Sequence, residues 1–489
     1  MIRMTLAEIA DAVGGTLAGG AAPETVVTGS VEYDSRRVGP GGLFVALRGE
    51  KADGHDFAAD AITSGAAAIL AAKDVGVPAV VTDDTLLALG RLARAVVDRL
   101  PATTVIGITG SSGKTSTKDM IGTLAARLGP TIAPPGTWNN EMGHPYTALQ
   151  ADETTRHLVL ECGARGIGHI RYLCEIAPPR IGVVINVGAA HLGEFGSVEA
   201  IAQAKGELVE ALPPTGSRAS QGAPATEERS GSGRGSMSPP DGGVAILNAD
   251  DHRVAAMASR TGARVVTFGV TDTATVRAAD VRLDDAGRPA YVMHTPAGSA
   301  PVTLGLVGEH QVSNTLAAAA VALELGMPVG EIAAALSELR PVSARRMDVF
   351  TRGDAITVID DSYNANLGSM TAALNALAKI STTGRRWAVL GYMAELGEFE
   401  RAQHERLGAT AVELGVDRIV AVGELAGGIH DGARTRAADT KWEGRSVQVP
   451  DQQAAIELLR AELRPGDTVL VKGSRYRTWD IADSLREEV

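Results

Sequence analysis

Short apolar runs rich in Val and Ile recur along this chain: TVIGIT at 104–109, HLVLEC at 157–162, RIGVVIN at 180–186 and GVAILN at 243–248. Runs of this length without polar alternation describe strands buried on both faces, which is the environment of central strands in a parallel sheet. Helical stretches such as TSTKDMIGTLAARLG lie between them. Strand, helix and strand in alternation imply βαβ units and a doubly wound sheet. The alternation resumes after Arg345 with ITVIDD, RRWAVLG, DRIVAVG and DTVLVKG, which predicts a second, smaller α/β sheet.

At 489 residues the chain is too long for one hydrophobic core. We read three α/β domains, at 1–100, 101–340 and 341–489. The first begins with an amphipathic helix, TLAEIADAVGG, closed by glycines as helix C-termini often are. Within the second, residues 213–243 are dominated by Ser, Gly, Pro and charge, and read as a flexible insertion.

A net charge of −12 and 3% aromatic residues argue against nucleic acid as a partner, which demands clustered cations and stacking platforms. The N-terminus lacks the apolar core of a signal peptide, and no apolar run is long enough to span a membrane, so a cytoplasmic protein without membrane insertion is expected. The two cysteines, Cys162 and Cys174, form neither a disulfide framework nor a metal motif.

The first buried strand runs into Thr109-Gly110-Ser111-Ser112-Gly113-Lys114-Thr115-Ser116. The longer Gly-x4-Gly-Lys-Ser/Thr spacing fails here, because Ile108 stands where its first glycine would be. Small residues still let backbone N–H groups turn into one concavity, at the positive end of a helix starting near Lys114. A phosphate there meets those amides and the Lys114 ammonium, and Thr115 offers a hydroxyl to magnesium. Glu161 ends the next strand at the sheet edge where ligands bind, and Asn186 and His191 follow another. Taken singly, Glu161 reads equally as a helix-cap partner and His191 as an ordinary loop histidine. Lys205 lies on an amphipathic helix, where spacing alone makes it a solvated face residue.

TGSSGKTST resembles the phosphate loop of the Mur ligase family, whose pattern is Gly-x-x-Gly-Lys-Thr. NVGAAHLGEFGSVEAIAQAKGEL, GEHQVSNTLAAAAVA, SARRMDVF and LVKGSR are similar to its later motifs, and the segment from DSRRVGPGGLFVALRGE resembles a uridine-nucleotide domain. VIDDSYNANLGSM and GTWNNEMGHP resemble segments of the family's D-Ala-D-Ala-adding branch, which implies UDP-N-acetylmuramoyl-tripeptide and D-Ala-D-Ala as expected substrates. The member that adds the third amino acid shows an Asp-Asn-Pro-Arg motif, and none is present here.

The resemblance implies a monomeric ATP-dependent ligase of peptidoglycan precursor synthesis working through an acyl phosphate. It implies an N-terminal uridine-nucleotide domain, a central ATPase domain and a Rossmann-like C-terminal domain. ATP would meet residues 109–116 with Asn314, Arg346 and Asp361, and Lys114, Glu161, His191 and Lys205 would be catalytic. Magnesium would be held by Thr115, Glu161, His191 and a carbamylated Lys205. Ser35, Arg36, Thr137, Asn139, Asn140, Tyr363, Asn364 and Asn366 would contact the nucleotide-peptide and the dipeptide. The chain departs from the family at Leu367, where proline is frequent, at Tyr392, where aspartate is common, and in Pro135-Gly136-Thr137-Trp138.

Overall fold

The computed structural model describes residues 1–217, 242–474 and 478–487. Its described residues form three large sheets in chain order and a two-stranded antiparallel ribbon of Met4–Thr5 with Val26–Val27. The N-terminal sheet runs Thr16–Ala18, Ala79–Val81, Ala68–Ala71, Leu43–Val45, Val31–Glu32, parallel except at the first pair. The predicted opening helix spans Leu6–Val13, with a Thr5–Glu8 capping box and Gly14 in the left-handed conformation at its end.

The central sheet has nine strands. Thr104–Thr109 lies inside it, between His157–Glu161 and Ile181–Val184, and all three run parallel. Alternate side chains of these strands enter separate cores. Val105, Leu158, Leu160 and Val184 pack on one face, while Ile106, Ile108, Val159 and Val183 pack on the other. Burial on both faces is why the sequence shows unbroken apolar runs. The sheet continues through Val244–Asn248 and Arg264–Gly269 into a meander of Val276–Leu283, Pro289–Thr295 and Gly298–Thr303, whose mutual pairings are antiparallel. Sequence reading missed this meander. It lies at the sheet edge, so its first two strands alternate buried residues with partly buried or exposed ones and carry no continuous apolar run.

The C-terminal sheet orders Asp348–Thr351, Thr357–Asp360, Thr468–Lys472, Arg386–Leu390, Arg418–Val422 and Arg445–Val449. Only its first pairing is antiparallel. Most of the insertion read at 213–243 falls outside the described residues. Its described ends are pinned together, with Gly243 N–H donating to Pro213 O at 2.8 Å and Thr215 N–H to Gly262 O at 2.8 Å. No described helix is long and apolar enough to cross a membrane.

Candidate active site

Strand order reverses about Thr104–Thr109: the chain leaves it for His157–Glu161 on one side and later returns as Ile181–Val184 on the other. Such a switch point opens a crevice at the carboxyl ends of the strands. A cavity of about 760 Å³ occupies it, walled by all three parts of the chain. Of the residues singled out above, Ser111 through Ser116, Thr137, Asn139, Asn140, Glu161, His191, Lys205, Asn314, Arg346, Asp361, Tyr363, Asn364 and Asn366 line it.

Four do not. Thr109 and Gly110 back the loop: Thr109 Oγ1 donates to Cys162 O at 2.8 Å, and a Cβ on Gly110 would sit 3.1 Å from Ile185 Cβ. Ser35 and Arg36 lie outside the cavity wall. The Arg36 side chain is 86% exposed and its guanidinium closes on Asp34, two residues away, at 2.7 and 2.9 Å. That local pairing holds the arginine on its own turn rather than in the crevice.

Gly113 caps the helix Lys114–Ala125 at φ 82°, a conformation glycine adopts without steric cost. A side chain there would also meet Asn314 Oδ1 at 2.8 Å. The amides of Ser111 and Ser112 do not point freely into the concavity as the sequence suggested, since Asn186 Oδ1 accepts from both at 3.0 Å. The helix start supplies the donors instead, because its first-turn N–H groups have no partner within the helix. Lys114 Nζ donates to Gly110 O at 2.7 Å, and burial lowers its pKa.

Thr115 Oγ1 lies 3.0 Å from Thr137 Oγ1 and donates to Glu161 Oε2 at 3.3 Å. Arg346 donates to both threonines from the C-terminal side, at 3.4 and 3.2 Å. Glu161 is buried, and Oε1 has no hydrogen-bond partner among the described residues. Burial raises its pKa, opposed chiefly by the charges of Lys118 and Lys114.

Lys205 is only 5% exposed, which overturns its reading as a solvated face residue. The helix Val198–Glu210 turns that face onto the sheet. No hydrogen bond or ion pair reaches Lys205 among the described residues, and burial, with the nearby Lys114 charge, drives its pKa well down. His191 pairs through Nδ1 with Glu395, and both residues hold left-handed backbone, at φ 60° and 65°. Two non-glycine residues in that region, facing one another across a domain boundary, mark a constrained contact.

Asp361 accepts from Lys472 Nζ at 2.6 Å, and Lys472 also donates to Asn364 O at 2.9 Å. Asn366 caps the helix Leu367–Lys379 and donates across to Ser111 O at 3.4 Å. Leu367 therefore occupies the first helical position, where proline is favoured but not required. The Arg346 guanidinium stacks over Tyr363 at 4.2 Å. Tyr392, in its aspartate-like position, donates to Glu400 at 2.5 Å and stacks on His404.

Sequence reasoning missed Lys118, His310, Glu395 and Lys472. Lys118 had a signal, since it follows Lys114 by four residues and so shares its helix face. Lys472 closes a buried strand in LVKG, and a strand-end lysine in an α/β fold points toward the ligand crevice.

For magnesium, the fit rests on the orphaned Glu161 Oε1 beside the Thr115 hydroxyl. No three His, Cys, Asp or Glu side chains converge on one point among the described residues. Magnesium held beside nucleotide phosphates needs only one or two protein carboxylates, so the donor set suits it.

Residues 108–220 and 236–322 match the Mur ligase middle domain, 345–475 the Mur ligase glutamate ligase domain, and 28–102 the Mur ligase family catalytic domain. The UDP-N-acetylmuramoyl-tripeptide–D-alanyl-D-alanine ligase of Mycobacterium tuberculosis (strain ATCC 25618 / H37Rv) is 49% identical, over 97% of this chain and 96% of that protein. The chain belongs to the Mur ligase family. The corresponding ligase of Escherichia coli (strain K12) is 35% identical over 97% of this chain and 96% of its own length. Among solved structures, MurF from Acinetobacter baumannii superposes with a TM-score of 0.84 at 30% identity, covering 99% of both chains. MurF ligase from Thermotoga maritima in complex with ADP gives 0.77 at 27% identity, covering 94% of this chain and 98% of the other. This Mur ligase is thus an ATP-dependent enzyme with N-terminal, middle and C-terminal α/β domains.

Proposed function

We propose that this Mur ligase joins D-Ala-D-Ala to UDP-N-acetylmuramoyl-tripeptide at the expense of ATP, as a cytoplasmic, monomeric enzyme of peptidoglycan precursor synthesis. The observation that carries this reading is the single cavity wall in which the phosphate loop, Asn139 and Asn140, and the Tyr363–Asn366 segment face one another. Residues 1–100 then hold the uridine nucleotide, 101–340 ATP and 341–489 the dipeptide.

The tripeptide carboxylate attacks the ATP γ-phosphorus, forming an acyl phosphate and releasing ADP. The dipeptide amine then attacks the acyl carbon, loses a proton and expels phosphate, leaving an amide. Bringing two anions together requires fixed positive charge. Lys114 and the first-turn amides of its helix supply it on the phosphate side, and Arg346 supplies it beside Thr115. Thr115, Glu161, His191 and Lys205 would hold magnesium, which supplies charge neutralisation at the transferred phosphate.

Lys205 fits carbamylation. Burial favours its neutral amine form, whose lone pair adds to the carbon of carbon dioxide while the nitrogen gives its proton to solvent. The product is an anion at a position where the amine has no acidic partner among the described residues. Asp361, Asn314 and Arg346 complete the nucleotide side, and Tyr363, Asn364 and Asn366 the dipeptide side.

Phosphate release with UDP-N-acetylmuramoyl-tripeptide and ATP tests the assignment. Turnover should require D-Ala-D-Ala, and single D- or L-amino acids should not replace it. Release without any amine, or equal release with a single amino acid, refutes it.

A further inference from the structure

Lys118 is a buried ammonium one helical turn beyond Lys114, at 3% exposure. Nothing in the chemistry above uses it. Its Nζ donates to two carbonyls of one loop, Pro134 O and Gly136 O, the latter at 3.0 Å. The same nitrogen lies 2.9 Å from Asp119 Oδ1 and 4.0 Å from Glu161 Oε1. At 4.0 Å it lends charge to Glu161 without a hydrogen bond, so the lone pairs of Oε1 stay open.

We propose that Lys118 is a positioning residue that sets the loop 134–140 against the phosphate loop. This rests on the reading of Thr137, Asn139 and Asn140 as substrate contacts. The loop is built to be held from beneath. Pro134 and Pro135 restrict its backbone, and Gly136 at φ 84° turns the chain. Beyond that turn, Thr137 reaches Thr115, and Asn139 O accepts from Gly163 N–H at 2.8 Å. One rigid helix therefore aims Lys114 at phosphate and, a turn later, holds the residues that face the tripeptide. Attack of a carboxylate on phosphorus depends on that relative placement. Two carbonyl acceptors and a neighbouring carboxylate suit a lysine head group, which offers donors and no acceptor.

Trp138 lies in the loop, so its fluorescence reports loop position without turnover. The experiment compares Lys118→Met and Lys118→Arg with the parent enzyme, each paired with a Trp138→Phe version to subtract the other tryptophans. Lys118→Met should raise the KM for UDP-N-acetylmuramoyl-tripeptide tenfold or more and leave that for ATP within threefold. Acrylamide quenching of Trp138 should increase in the unliganded protein. Lys118→Arg, which keeps donors, should fall between the two. If Lys118→Met does not fold, Lys118→Gln takes its place with the same expectations. Unchanged Trp138 quenching, or KM values for both substrates rising in parallel, overturns the proposal. A parent enzyme that turns over without D-Ala-D-Ala would instead refute the functional reading, and the quenching result would stand apart from it.

Discussion

Gly193 and Gly397 meet where the short helix Leu192–Phe195, which follows His191, touches the 3-10 turn Gly397–Phe399, which follows Glu395. A Cβ built on Gly193 would lie 2.5 Å from Gly397 N, 2.8 Å from Leu396 C and 2.9 Å from Gly397 Cα. All three are backbone atoms, so no rotamer change relieves the overlap. Gly193 N–H also donates to Glu395 O at 3.1 Å, fixing the two segments at this spacing. An ordinary contact of about 3.5 Å requires a retreat of about 1 Å. That retreat separates the middle and C-terminal domains, and with them His191 from Glu395 and Ser111 from Asn366. Displacements of about 1 Å from reactive geometry cost on the order of 100-fold in rate, or about 2.7 kcal/mol of barrier. Gly193→Ala should therefore lower kcat for phosphate release about 100-fold. Binding of an ATP analogue should weaken less than kcat falls, because Lys114 and the first-turn amides stay with the middle domain while only Arg346 and Asp361 move with the C-terminal one. Gly330→Ala, which meets open space, should leave kcat unchanged. A Gly193→Ala enzyme with kcat within threefold of the parent would refute the argument that this backbone contact defines the reactive domain arrangement.

Lys205 gives a prediction in pH. Burial lowers its folded-state pKa below that of the unfolded chain, at about 10.4 for a free lysine. Between those values the unfolded state binds a proton that the folded state has released, so stability rises with pH across that window. In magnesium-free, carbon dioxide-free buffer, Lys205→Met should be more stable than the parent near neutrality. The difference should shrink as pH approaches 10, and denaturant midpoints measure it; a difference that grows with pH contradicts the assignment. The Lys472–Asp361 pair is buried on both sides. Lys472→Met should cost about 3–5 kcal/mol by leaving Asp361 uncompensated, whereas pairing it with Asp361→Leu should recover part of that loss. Calorimetric unfolding of the single and double variants checks this, and additive losses would refute coupling.

The features legible in the sequence are those written into neighbouring residues. Unbroken Val and Ile runs announce strands buried on both faces, and Gly113-Lys114-Thr115 after such a run announces a phosphate loop, because backbone geometry and helix polarity are local properties. Glu161 stood at a strand end and His191 in the loop after another, but Asn314, Arg346, Asp361 and the role of Lys205 were not legible from spacing, and only the resemblance of their motifs to the Mur ligase family pointed to them. The antiparallel edge meander was not, since half-exposed strands carry no continuous apolar signal. Tertiary structure alone decided which charges meet. The spacing of Lys205 suits a wet helix face, yet that face packs on the sheet, and its amine loses water without gaining a carboxylate partner among the described residues. Glu395 became the partner of His191, and Lys118 the anchor of the loop 134–140, through contacts between segments remote in sequence. Arg36, by contrast, found its partner two residues away and stayed at the surface. Desolvation and ion pairing depend on what the fold brings within a few ångströms, and no local pattern records that.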